Sequence, residues 1–135
     1  MAVKDTKIAN DSKVAIETLT IPIITALTQA DVIAFKYVPG HSFEIVGVQA
    51  YARTVAGAVT LRAKISGVTA MAADITPTTG NIVAGTLATT LAARRGSRTD
   101  SIDANFTTDG SGVLTNGFLV IQFRPVPLNG DVATE

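Results

Sequence analysis

Between Gly57 and Val68 the chain alternates strictly, with Val59, Leu61, Ala63 and Ile65 interleaving with Thr60, Arg62, Lys64 and Ser66. A period of two sends successive side chains to opposite sides of an extended backbone, so this stretch reads as a β-strand with one buried face. The preceding run, Phe43 to Arg53, is also strand-like. The short Thr54-Val-Ala-Gly57 connection between them makes an antiparallel hairpin the expected pairing.

The rest of the chain favours the same class. Its 19 Thr, 14 Val and 12 Ile make one third of the 135 residues β-branched. Such side chains are stiff at χ1 and suit pleated surfaces, so helix is the minority state. Val14 to Ile21 is expected as a strand, with Pro22 marking an edge position or a break. Asp31 to Val38 is a second, closed by Pro39-Gly40. In the third, Val46, Val48, Ala50 and Ala52 share one face, while Phe43, Ile45, Gln49, Tyr51 and Arg53 share the other. Two partly apolar faces suit a central strand or a contact surface. Ala72 to Thr76 is a short strand candidate. Ile82 to Leu91 is expected as a strand, although Leu91-Ala-Ala-Arg-Arg95 before Gly96 also fits the close of a helix.

Ile102, Ala104 and Phe106 then alternate with Asp103, Asn105 and Thr107, which puts Asp103 and Asn105 on the solvent side. Asp109-Gly-Ser-Gly112 turns the chain, and Phe118 to Arg124 is the last strand. The sum is an all-β, single-domain antiparallel β-sandwich, jelly-roll-like, with about seven to eight strands over residues 14–127. A polar arm, 1–13, precedes it, and a tail, 128–135, follows.

Eleven Lys and Arg balance eleven Asp and Glu, and only 16% of residues are charged. Without a positive field there is little to attract phosphates, so no nucleic-acid partner is expected. A weakly charged, neutral surface does little to keep copies apart, which favours self-association. The chain has no Cys, which removes disulfides, thiol nucleophiles and Cys-ligated zinc together. Its longest apolar run, Ile21-Pro-Ile-Ile24, is far too short to span a bilayer, and the N-terminus lacks the apolar core of a secretion signal. No membrane partner is expected.

Reactive chemistry is scarce. His41 and Ser42 are adjacent, and adjacent residues of an extended chain point apart, so they make a poor nucleophile–base pair. Asp103, Asn105 and Asp109 are hard oxygen donors, but their spacing fails the calcium loop and suits strand and turn roles. No catalytic, cofactor or metal residue is assigned, and no cofactor is expected. Arg94, Arg95 and Arg98 form the one concentrated charge feature. They suit carboxylates on a partner protein, or a solvated loop balanced by Asp100 and Asp103. With Lys4, Lys7 and Lys13 of the arm, they are the candidate partner-binding residues.

The segment Arg94-Arg-Gly-Ser-Arg-Thr-Asp-Ser-Ile-Asp-Ala-Asn-Phe-Thr-Thr-Asp-Gly-Ser-Gly112 and the ending Leu114-Thr-Asn-Gly-Phe-Leu-Val-Ile-Gln-Phe-Arg-Pro125 resemble small head proteins of tailed phages. Decoration, or cement, proteins and head-fibre bases are the nearest types. The resemblance implies a sandwich or jelly roll, commonly a homotrimer, bound to the major capsid protein on the capsid exterior after synthesis in the host cytoplasm. It implies no enzyme. The competing expectation is a carbohydrate or cell-surface binding module, as in a head fibre or tail adhesin. Tyr37 and Tyr51 offer little for sugar stacking in that case.

Overall fold

The longer strands among the described residues fall into two antiparallel sheets, with a small two-stranded sheet besides. The structure, a computed structural model, describes residues 16–23, 32–108 and 112–126. It contains β1 (Glu17–Ile23), β2 (Val32–Tyr37), β3 (Phe43–Ala56), β4 (Val59–Ile65), β5 (Val68–Thr69), β6 (Met71–Ala73), β7 (Ile82–Ala84) and β8 (Thr86–Leu87). A single helical turn, α1 (Leu91–Arg94), leads into β9 (Arg95–Gly96), β10 (Ile102–Thr108) and β11 (Val113–Pro125). The expected arm, the tail and Asp109 lie outside the described residues.

The first sheet runs β1, β11, β3, with β7 and β9 sharing the far edge of β3; the second runs β2, β10, β4, β5. β6 and β8 pair with each other as a separate two-stranded sheet; apart from them, counting β7 and β9 as one position gives eight, in the orders 1-8-3-6 and 2-7-4-5. That nesting is a jelly roll. The expected all-β antiparallel sandwich is therefore present, and the longer strands lie close to where the pattern put them. Pro22 occupies the outer edge strand β1 without breaking it, opposite Phe118.

The expected hairpin is not formed. One edge of β3 is taken by β11 and the other by β7 and β9, while β4 is flanked by β10 on one side and β5 on the other. Leu61 and Ile75 also exchange both backbone hydrogen bonds at 2.8 Å. Gly57-Ala58 accordingly carries the chain from one sheet to the other, with Gly57 at φ 72°. The hairpin sits one strand later, between β4 and β5. Ser66 and Gly67 have φ of 46° and 85°, the left-handed pair of a type I′ two-residue turn. The alternating strand thus stops at Ile65 rather than running on to Val68.

Two further expectations change. The short candidate at Ala72 to Thr76 resolves into β6 plus the Ile75 bridge. The Ile82 to Leu91 segment splits into β7 and β8 around Gly85, and Leu91 starts the helical turn. In β3, a register shift opposite Gln122 and Phe123 leaves Val46 as an extra residue. This bulge reverses which side each residue takes, so Phe43 and Ile45 join Val48, Ala50 and Ala52 in the core. There they meet Leu61, Phe106, Leu119, Ile121 and Phe123. Each large side chain so buried contributes roughly 1.5–3 kcal/mol, and a chain of this length is long enough to bury a substantial core.

Candidate functional site

The register of the first sheet lines up an apolar row on its outer face. Leu119 and Ile121 of β11 are fully buried, so Phe118, Val120 and Gln122 turn outward. Phe118 is directly opposite Pro22 on one side and Tyr51 on the other, and Tyr51 is opposite Ile82. The row Pro22, Phe118, Tyr51, Ile82 thus crosses four strands. Its two rings are stacked at 5.3 Å with 25° between their planes. Ile82 stands 64% exposed at the end of the row. The next row holds Thr20, Val120, Gln49 and Ala84. Beside it is an open depression of about 470 Å³, lined in part by Val46, Gly47, Leu87, Val120 and Gln122.

The outer face of the second sheet has the opposite chemistry. Asp103 of β10 lies between Lys36 of β2 and Lys64 of β4, and Asn105 lies opposite Arg62. The solvent-facing roles expected for Asp103 and Asn105 are overturned, since they are 0% and 1% exposed. Hydrogen bonds offset the cost of burying the charge. Asp103 Oδ2 accepts from the Gly67 N–H at 2.9 Å, and Oδ1 accepts from Ser101 at 2.7 Å and Lys36 at 3.2 Å. The carboxylate ties the β4–β5 turn to β10. Arg62 pairs with Asp74 nearby.

At one end of the sandwich, the start of β3 meets the end of β11 and β9. Glu44 there has a 6% exposed side chain among three guanidinium groups. Arg124 Nη2 and Arg95 Nη2 approach Oε1 at 3.1 and 3.2 Å, and Arg94 Nη1 approaches Oε2 at 3.5 Å. Arg95 and Arg124 are the direct cross-strand neighbours of Glu44. Gly96 is required beside them, because an added Cβ would collide with the Phe43 ring. Two of the expected partner-binding residues, Arg94 and Arg95, are thus brought together around Glu44 rather than around Asp100 or Asp103. Asp100 instead accepts from the Ser97 N–H and the Ser66 hydroxyl, both at 2.8 Å. These bonds, the backbone one first, hold its carboxyl below the usual range.

Arg98 is not part of the Glu44 cluster, and Lys4, Lys7 and Lys13 lie outside the described residues. The Nδ1–H of His41 donates to the carbonyl of Ser42 at 3.0 Å, and its Nε2 faces Glu17 at 3.7 Å. The ring is engaged with the Ser42 backbone, so the two side chains form no dyad. Among the described residues, no group of three or more His, Cys, Asp or Glu could hold a metal. No helix among them is long and apolar enough to cross a membrane. Sequence reasoning missed Glu44, Arg124, Phe118 and Ile82. Glu44 had one signal, an acid between Phe43 and Ile45, two residues that the core claims. Compared with known proteins, the chain matches no family model, no curated protein and no solved structure.

Proposed function

We propose that this chain is a non-catalytic structural protein of a tailed-phage head, a decoration or cement protein that self-associates and binds the capsid exterior. The observation that carries the self-association is the outward row Pro22, Phe118, Tyr51, Ile82. An apolar row free of charge, next to a depression, gives a second copy of the chain both a knob, Ile82, and a hollow to fill. The neutral overall charge and the low charged fraction oppose such contact little. A homotrimer is the order that the resemblance to phage head proteins implies. By fold-level analogy, jelly rolls serve as viral capsid domains and as lectins alike.

In this reading the major capsid protein is the second partner. Many symmetry-related weak contacts hold the shell together without any one strong site. The test is a solution mass determination, then co-sedimentation with intact phage heads and with isolated tails. A trimer that sediments with heads supports the reading. A monomer with saturable binding on a glycan array would replace it with the carbohydrate or cell-surface module.

A further inference from the structure

The Glu44 cluster holds more positive charge than its one carboxylate neutralises. Three guanidinium groups surround that carboxylate, an excess of two charges in a chain whose formal net charge is zero. Each guanidinium has five N–H donors, whereas a carboxylate offers about four lone-pair sites. Glu44 Oε1 already takes contacts from Arg95 and Arg124, and Oε2 from Arg94. Arg94 Nε is buried with no hydrogen-bond acceptor among the described residues. Asp100 is engaged elsewhere, with Ser97 and Ser66. Outward, the side chains of Arg95 and Arg124 remain 41% and 37% exposed, and that of Arg94 22%.

We infer that Arg94, Arg95 and Arg124, held in place by Glu44, form a receptor for an acidic side chain of a partner protein. Glu44 fixes the three planar forks at the cost of only part of their donors, so little rotamer freedom is lost when a second carboxylate arrives. Charge complementarity sets the ligand class, because a planar fork binds a carboxylate through two parallel N–H···O bonds. The site differs from a plain basic loop in needing Arg124, thirty positions away in sequence and supplied by the last strand. The inference rests on this cluster and holds whether or not the apolar row or a phage shell is involved.

The probe is a hexaglutamate peptide, with hexaglutamine as its uncharged twin, titrated into the full chain at low ionic strength. Saturable binding of hexaglutamate alone is expected, weakening with salt. An Arg94→Gln/Arg95→Gln pair and Arg124→Gln should each lose about tenfold or more. Arg53→Gln, on the outer face of β3, should match the parent. If the glutamine variants fail to fold, Arg94→Lys/Arg95→Lys keeps the charge and removes the forks, and a loss of similar size is expected. Absent binding by the parent, equal binding of hexaglutamine, equal loss in Arg53→Gln, or unchanged binding in the folded arginine variants would overturn the inference.

Discussion

The two outer faces of this sandwich are built on the same antiparallel frame, yet they use it in opposite ways. On the second sheet, the face is polar and closed upon itself. Lys36 and Lys64 flank the buried Asp103, whose oxygens are spent on Gly67, Ser101 and Lys36, and Arg62 beside them pairs with Asp74. On the first sheet, the cross-strand row of Pro22, Phe118, Tyr51 and Ile82 leaves apolar surface turned outward. Charge on a protein surface is thus no sign of a binding face by itself. Here the charges of the second sheet tie strands and a turn together, whereas the row on the first sheet is left uncovered within the chain and is the surface that we propose for a second copy.

If the polar face is structural, the largest effect should follow from Asp103→Ala. It removes a buried carboxylate that accepts from the Gly67 N–H, the Ser101 hydroxyl and Lys36 together, so denaturant unfolding should show a loss of about 2–3 kcal/mol. A loss below about 0.5 kcal/mol would mean that the two faces do not differ as described. Ile82→Asp tests the other side. A charge in the apolar row should weaken self-association about tenfold, or roughly 1.4 kcal/mol, with an unchanged melting temperature at concentrations too low for association. Sedimentation velocity across a concentration series reads it out. Unaltered association would remove Ile82 from the interface.

Gly67→Ala sharpens the first half, because the turn that Asp103 anchors needs a residue at φ 85°. A loss of about 1 kcal/mol is expected by equilibrium unfolding, smaller than that of Asp103→Ala. The smallest effect belongs to Asp100, which is half-buried in a surface loop. Its folded carboxyl titrates below the ordinary value, so its contribution is present above that ordinary value and fades as pH falls through the folded one. In Asp100→Asn the melting temperature should therefore lie slightly below that of the parent at neutral pH, and the gap should close in acid. A gap that widened in acid would reverse the assigned direction.

Much of the fold was legible because the strands are half-buried and keep a period of two. β4 shows this best, with Val59, Leu61, Ala63 and Ile65 buried and the three residues between them half-buried. What was not legible depended on partners distant in sequence. A short Gly-containing link suggests a hairpin, but in a jelly roll the neighbours of β3 and β4 come from later strands, and Ser66-Gly67 makes the tight turn instead. The bulge at Val46 left no mark in the pattern, and it moved Phe43 and Ile45 to the core side. Asp103 read as solvated because alternation reports a face and not what covers it. The arginines were visible as a cluster, whereas Glu44 and Arg124 joined them only through cross-strand register.

Hydroxyl-radical footprinting of the parent protein, from dilute solution to the concentration at which its mass rises, compares the two faces in one experiment. Labelling of Phe118, Tyr51 and Ile82 should fall together as the oligomer forms, while Lys36 and Arg62 keep their reactivity. A mass that stays monomeric throughout, or protection confined to the charged face, would contradict the division of labour between the sheets.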